Sequence, residues 1–130
     1  MSGLDGAANG GWQHAPIDPT WIVHGDPVAE VMPVDSGRQL STGYWRCAAG
    51  GFVWRYDSDE AVVVLSGGML LRDVALDAPW RPVTAGESVL FKAGTSVEWN
   101  VPDRVYKHYA IYHGRPLWRR ALSRARRALP

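Results

Sequence analysis

One carboxylate in this sequence stands where a strand is expected to enter the protein interior. Glu60 directly precedes the apolar run Ala61–Leu65, which lacks the alternation of a half-exposed strand, so we expect that run to be buried on both faces. A carboxylate beside a buried strand needs a partner, or its pKa rises. Glu60 is therefore a candidate acid–base group, or an acceptor for a bound amine or hydroxyl. The alternative is a structural pair with Tyr56 or Lys107.

Aromatic side chains are expected to share a face near this carboxylate. Alternation along Gly51–Tyr56 puts Phe52, Trp54 and Tyr56 on one side of a strand. The Tyr56 hydroxyl could bind or act on a ligand, and the Trp54 indole could form an aromatic wall that attracts cations. The alternative is that both rings simply fill the interior of a small barrel.

The run Arg104–Tyr112 carries two further candidates on opposite faces of one strand. Lys107 could hold a substrate carboxylate or pair with Glu60, and it would merely be solvated if it faced outward. His108 is a candidate ligand-binding residue, although a lone histidine is more often an ordinary surface or core residue. Alternation separates the two faces but does not say which one is interior.

The single cysteine, Cys47, excludes an internal disulfide and a thiolate zinc cluster. No base or positive partner is visible beside it in the sequence. We therefore expect a small buried hydrophobic residue rather than a nucleophile.

These candidates lie on short strand-like runs separated by turn residues. The chain has 130 residues with 14 Gly and 9 Pro, which suits one domain with many tight turns. Strands at this spacing, without intervening helical patterns, predict an all-β sandwich or barrel. We expect a loose segment at 1–15, one domain at 16–113 and a basic helix at 114–130. The predicted strands are Gly43–Cys47, Gly51–Tyr56, Glu60–Leu65, Met69–Val74, Trp80–Val83, Ser88–Lys92, Ser96–Val101 and Arg104–Tyr112.

Charge is unevenly distributed along the chain. From Arg115 onward there are six arginines and no acid, so the preceding residues carry a net negative charge although the whole chain is +1. Such a body is a poor nucleic-acid binder. The tail has apolar residues at helical spacing, which predicts a short helix covering the body or a subunit boundary. The alternative is a segment that binds anions or a membrane surface.

The sequence has no apolar run long enough to span a membrane and no basic and apolar segment typical of a secretory signal near its start. We therefore expect a cytoplasmic protein without a membrane span.

The combined pattern resembles a small single-domain cupin of the RmlC-like superfamily. The similarity covers about residues 40–112 and is closest to the group named for the cupin domain of (S)-ureidoglycine aminohydrolase, which includes ethanolamine-utilisation-type cupins. The resemblance implies a double-stranded β-helix, the cupin jelly-roll barrel, usually dimeric and with a ligand site inside the barrel. It is carried by Trp45, Cys47, Gly50, Phe52, Trp54, Tyr56, Asp59, Glu60, Gly67, Gly86, Ala93, Gly94, Trp99, Val101 and Lys107.

The same resemblance implies a departure at the metal site. Metal-binding cupins carry His-x-His-x₃-Glu and a later His. Laid on this sequence, Trp54 and Tyr56 take the first two His positions, Glu60 takes the Glu position, and Val97 takes the later His position. A lone carboxylate does not hold a transition metal tightly. We therefore expect no metal ligands and no cofactor.

Together these features predict a cupin that binds a small polar metabolite of ureido, amine or carboxylate type, with proton transfer as a reaction that it could catalyse. Glu60, Tyr56 and Lys107 are the expected catalytic residues, and a homodimer is the expected assembly. The alternatives are a metal-dependent enzyme related to (S)-ureidoglycine aminohydrolase and a non-enzymatic dimeric accessory or sensing module. The expected ligand-binding residues are Trp45, Trp54, Val97, Trp99 and His108.

Overall fold

Antiparallel strands make up nearly all of the computed structural model, which describes residues 11–114. Its helical content is one 3-10 turn, Pro19–Trp21, which begins where the Asp18 carboxylate accepts a hydrogen bond from the Thr20 backbone N–H. The predicted basic helix at 114–130 falls almost wholly outside the described residues. The strands are β1 Gln13–His14, β2 Ile22–Gly25, β3 Ala29–Ser36, β4 Leu40–Arg55, β5 Asp59–Asp73, β6 Arg81–Thr84, β7 Ser88–Phe91 and β8 Ser96–Tyr112.

Three long strands build the barrel, and the shorter ones extend it. β8 lies between β4 and β5; β3 and β2 pair with β4, whereas β6 and β7 pair with β5. β1 pairs with β3, so regular structure already begins at Gln13, inside the segment expected to be loose. The two halves of each long strand belong to opposite walls of the barrel. Trp45 of β4 and Trp99 of β8 therefore face each other across the interior, with their ring centroids 5.9 Å apart. This is the all-β jelly-roll architecture that the sequence predicts.

Each long strand bends where the sequence predicts a turn between two strands. β4 shifts register between Ala48 and Gly50, and β5 shifts between Val64 and Ser66 and again between Gly67 and Leu70. Such bulges bend a strand without ending its pairing. The predicted separate strands are therefore halves of continuous ones, because a glycine-rich stretch can mark a bend as well as a turn.

The first half of β5 is half-exposed, so the expectation that Ala61–Leu65 is buried on both faces is wrong. Val62 and Val64 are 1% and 0% exposed, whereas Val63 and Leu65 are 39% and 42% exposed. Although every side chain in the run is apolar, no described element covers the outer face of this strand.

Inward-facing residues of both walls form one core around two large rings. Phe52 of β4 and Trp99 of β8 are 0% and 1% exposed, and they stack with ring centroids 5.5 Å apart. Within residues 11–114, no helix has the length and apolar character needed to cross a membrane.

Two glycines with positive φ allow a direct test of the bend in β5. Gly67 has φ +74°, and a Cβ there would overlap the backbone carbonyl oxygen of Arg104; Gly86 has φ +90°, and a Cβ there would meet nothing within 4 Å. We expect Gly86→Ala to lower the free energy of unfolding by about 1–2 kcal/mol from backbone strain alone. Gly67→Ala should cost clearly more, measured by urea unfolding. Equal losses would contradict the close strand contact at Gly67.

Candidate functional site

A buried ion pair lies inside the barrel. The Lys107 Nζ of β8 is 3.1 Å from the Glu60 Oε2 of β5, and the two side chains are only 6% and 10% exposed. Both side chains face inward, because Glu60 lies on the same face of β5 as the buried Val62, and Lys107 on the same face of β8 as the buried Val105. The lysine side chain must run along the wall to reach its partner, since Lys107 is paired with Val64 and Glu60 with Ile111. Of the arrangements that the sequence left open, the structure shows the Glu60–Lys107 pair.

Two indole rings complete the surroundings of the ammonium group. The Lys107 Nζ lies 4.6 Å from the centroid of Trp45 and 4.8 Å from that of Trp99. Such cation–π contacts stabilise a desolvated cation by about 2 kcal/mol or more. The ammonium group is therefore held by one carboxylate and two aromatic rings. We call Glu60, Lys107, Trp45 and Trp99 the ammonium box.

Tyr56 packs against the ammonium box. Its hydroxyl oxygen accepts a 3.1 Å hydrogen bond from the Trp99 Nε1–H, and its ring stacks on Phe91 with centroids 4.5 Å apart. Burial, with a smaller contribution from the negative charge of Glu60, raises the pKa of Tyr56 well above its usual value. The phenol is therefore neutral at physiological pH and keeps its proton.

Other predicted site residues lie outside this cluster. Trp54 is half-buried, with its ring 5.1 Å from that of Trp21 and 6.2 Å from that of Trp45. His108 lies on the outer face of β8, with its ring 5.3 Å from that of Tyr44. It does not join the ammonium box, because consecutive residues of a strand point to opposite faces.

The residues present do not fit a tightly bound divalent metal. Trp54 and Val97 offer no donor atom, and the Glu60 carboxylate is already neutralised by an ammonium group. Residues 11–114 contain no group of three or more His, Cys, Asp or Glu side chains placed to share an ion. A lysine cation thus occupies the place beside Glu60 that a metal would need.

A surface cleft of about 510 Å³ adjoins the inner cluster, and Val97 and Phe91 form part of its wall. Arg72, Arg81 and Lys92 also line it, with Asp73 as the acid among them. Phe91 contacts both this cleft and the buried Tyr56 ring, so one aromatic side chain separates them. Phe91 was missed at the sequence level, where only the alternation of Ser88–Lys92 could have placed it inside.

A second cleft, of about 500 Å³, lies along the outer side of β4 and has Cys47 in its wall. Burial raises the pKa of the Cys47 thiol to about 12. The thiol is therefore protonated at neutral pH and is a poor nucleophile, in keeping with the expected role as a small buried residue.

The Tyr56 hydroxyl should stabilise the fold through its bond with Trp99. Tyr56→Phe leaves the buried Nε1–H of Trp99 without its acceptor, which costs about 1–3 kcal/mol. We expect that decrease in the free energy of unfolding in urea, and little change for Tyr112→Phe, which alters an exposed tyrosine. A Tyr56→Phe protein as stable as the wild type would show that the bond does not contribute.

The raised pKa values also predict alkaline sensitivity. The pKa of Cys47 is raised from 9.0 to about 12. The stabilisation that the buried thiol contributes is therefore complete below pH 9 and is lost as the pH rises toward 12. The raised Tyr56 pKa acts in the same direction above pH 10. We expect the free energy of unfolding to fall between pH 9 and pH 12, and to fall less steeply in Cys47→Ala. A slope unchanged by that substitution would contradict the burial of the thiol.

Comparisons with known proteins agree with this architecture. Residues 34–109 match the family model of the EutQ-like cupin domain. The EutQ protein of Clostridium difficile has a similar structure, with a TM-score of 0.60 and 17% identity over 75% of this chain and 80% of that one. A candidate ethanolamine utilization protein Q from Salmonella typhimurium gives a TM-score of 0.60 and 17% identity, over 85% of this chain and 100% of that one.

An RmlC-like cupin from Shewanella frigidimarina is also similar, with a TM-score of 0.56 and 13% identity over 69% of this chain and 80% of that one. At these identities the structural likeness shows the fold alone. Curated proteins give no match to this sequence, and membership of the ureidoglycine aminohydrolase group stays a prediction. Because the matched region covers more than half of the chain, this protein belongs to the EutQ-like cupin family.

Proposed function

We propose that this cupin binds a small polar metabolite at the ammonium box, without a tightly bound metal. The observation that carries the proposal is the Glu60–Lys107 pair, buried among aromatic rings. Removing two charges from water costs several kcal/mol per ion, and well-packed apolar residues often stabilise a fold as well or better. A buried pair of this kind is therefore better explained by a functional role than by stability.

The two charges define the class of ligand. The Lys107 ammonium group complements a carboxylate or a ureido oxygen, whereas the Glu60 carboxylate complements an amine or a ureido N–H. In the structure each group satisfies the other at 3.1 Å. A ligand that carries both kinds of group would replace the pair's mutual bond, so neither charge is left buried without a partner.

The adjoining cleft offers a route to the box. Phe91 lies in its wall and stacks on Tyr56, and Phe91 is the strand partner of Glu60. Rotation of this one ring would connect the cleft with the interior. The Arg81 and Lys92 side chains along the cleft would attract an anionic ligand toward that point.

Proton transfer is the reaction for which these groups are suited. The Glu60 carboxylate would act as the base toward a bound ligand. Lys107, or the neutral Tyr56 hydroxyl, would return a proton. A metal-dependent aminohydrolase is the weaker candidate function. Trp54 and Val97 offer no donor atom for a metal, and the Glu60 carboxylate is paired with Lys107.

The outer face of the sheet favours the second candidate function, a dimeric accessory module. The outward-facing residues of β4, β8, β5 and β7 form one uncharged surface. It includes Tyr44, His108 and Ala110, and it extends from the Arg46–Glu30 ion pair to the end of β8. Its most exposed apolar residues are Leu40, Val63, Leu65, Leu90 and Tyr112, at 37–56% exposure. We call this surface the apolar outer face.

A second copy of the chain is the occupant that we propose for this face. Its five most exposed apolar side chains are 37–56% exposed, and a second copy placed there would remove this apolar surface from water. The face carries no like charges that would repel in a symmetric pair. Leu90 also lines the cleft near Phe91, so the proposed homodimer would lie against one edge of that cleft.

The ligand proposal predicts stabilisation by small carboxylates or ureides that depends on Glu60. At 100 times its dissociation constant, a ligand stabilises a fold by about 2.7 kcal/mol, which raises the Tm by several degrees. We expect wild type and Glu98→Gln to show this shift in a thermal-shift screen, since Glu98 forms an outer ion pair with Arg72. Glu60→Gln should lose it.

A folding defect is separable from lost binding in this experiment. Glu60→Gln leaves a buried ammonium group without its carboxylate, which costs about 3–5 kcal/mol. The double variant Glu60→Gln with Lys107→Met removes both charges and should recover stability while still failing to bind. An undiminished shift in the double variant, or no shift in wild type with any carboxylate, amine or ureide, would contradict the proposal.

The dimer proposal predicts a change of mass in solution. Val63→Lys places a charge at the centre of the apolar outer face and should convert a dimer to a monomer in size-exclusion chromatography with light scattering. Val74→Lys, at a residue 50% exposed outside that face, should leave the dimer intact. A wild-type protein that is monomeric at about 50 μM, well above the usual dissociation constants of stable dimers, would refute it.

A further inference from the structure

The chain contains only two lysines, and they occupy opposite environments. Lys92 is exposed on the surface beside the cleft, whereas Lys107 is 5% exposed inside the barrel. The other twelve basic residues are arginines. Lysine differs from arginine in being able to lose its proton and act as a nucleophile. The barrel interior therefore holds the one basic side chain type that can form a covalent bond with a ligand.

The geometry gives the Lys107 proton one destination. Among the described residues, the hydrogen-bond acceptor of Nζ is the Glu60 Oε2 at 3.1 Å. The other sides of the ammonium group face the indole rings of Trp45 and Trp99, which attract a cation but do not take a proton. Transfer of one proton to Glu60 would leave a neutral amine against a neutral carboxylic acid in a dry, aromatic site.

We propose that Lys107 forms an imine with a small aldehyde or 2-oxo acid. This inference rests on the proposed function and names the substrate class of the same site. The Lys107 nitrogen attacks the carbonyl carbon, so that a C–N bond forms as the C=O double bond opens. Glu60 takes two protons from the nitrogen in turn, one before the attack and one after it, and delivers both to the oxygen, which leaves as water. An ammonium group and a carbonyl compound thus give a protonated imine and one water.

The ammonium box would stabilise the protonated imine as well as the lysine ammonium group. The protonated imine keeps the positive charge of the ammonium group at the same nitrogen. Glu60 and the two indole rings therefore stabilise it as they stabilise the lysine cation. Exclusion of bulk water slows hydrolysis of the imine.

The packing limits the size of the carbonyl compound. Trp99 and Tyr56 are 1% and 5% exposed, and Phe91 closes the wall toward the cleft at 4%. Because protein interiors leave few voids larger than water, these rings would have to move to admit a carbonyl compound beside Nζ, which favours a small one of about two to four carbons. In a 2-oxo acid, the carboxylate would extend toward the basic residues that line the cleft.

Reductive trapping tests the inference on the intact protein. The full chain is incubated with pyruvate, or with propanal, and cyanoborohydride at pH 7, and adducts are located by peptide mass mapping. We expect one adduct per chain, at Lys107, forming at least tenfold faster than at Lys92 or the α-amino group. Glu30→Gln, in an exposed ion pair with Arg46, should keep this adduct, and Glu60→Gln should slow it at least tenfold, because acid–base assistance is lost.

Two results would overturn the imine proposal. One is an adduct confined to Lys92 or the α-amino group, and the other is modification of Lys107 only after unfolding in urea. Propionate, which has no reactive carbonyl group, separates this inference from the proposed function. A Tm shift by propionate without trapping at Lys107 would leave ligand binding standing and remove the imine. Absence of trapping at Lys107, together with no Tm shift by any carboxylate, amine or ureide, would remove both the imine and the proposed ligand binding.

Discussion

The candidate site is organised around one ammonium group that is held inside the barrel by a carboxylate and two indole rings. Lys107 Nζ lies 3.1 Å from Glu60 and within 5 Å of the centroids of Trp45 and Trp99. A carboxylate buried alone would be destabilised by the loss of water, and an ammonium group buried alone even more so. In the pair each charge compensates the other. The barrel thereby has an internal cation that belongs to the protein. This cation is also what makes the interior a poor site for a divalent metal.

The bent strands explain how residues far apart in sequence meet at this point. β4, β5 and β8 contain 16, 15 and 17 residues, and each contributes to both walls of the barrel. The bend in β4 sets Trp45 on one wall and Phe52 on the other, and the bend in β8 does the same for Lys107 and Trp99. The ammonium group is therefore enclosed by side chains from both ends of the same strands.

Much of this arrangement follows from sequence, and the remainder has identifiable physical causes. Alternation puts Phe52 and Tyr56 on one face of a strand, and both are buried in the structure; Lys107 is among the partners expected for Glu60. Alternation alone could not decide between Lys107 and His108, because it separates two faces without saying which is interior. That choice is made by the opposite wall, where Trp99 supplies an aromatic surface for the ammonium group. Both residues could not have belonged to one site.

Other differences between the sequence predictions and the structure arise from the surroundings of a residue rather than from its type. The Val63 and Leu65 side chains are as apolar as their buried neighbours, and their exposure reflects a sheet face that no described element covers. Gly67 lies in a glycine-rich stretch of the kind that forms turns. In the structure it lies within a strand, because strand pairing continues on both sides of the bend. Phe91 belongs to no recognisable motif, and its position at the wall between cleft and interior depends on strand pairing with Glu60.

The most direct test of the central claim is the proton NMR signal of the Lys107 ammonium group, observed through ¹⁵N-labelled lysine. With only two lysines in the chain, Lys92→Arg assigns the spectrum. Enclosure predicts a slowly exchanging ammonium signal at neutral pH, shifted upfield by the two indole rings, that changes when a small carboxylate ligand is added. A Lys107 signal broadened by rapid exchange with water, like that of an exposed lysine, would contradict the account.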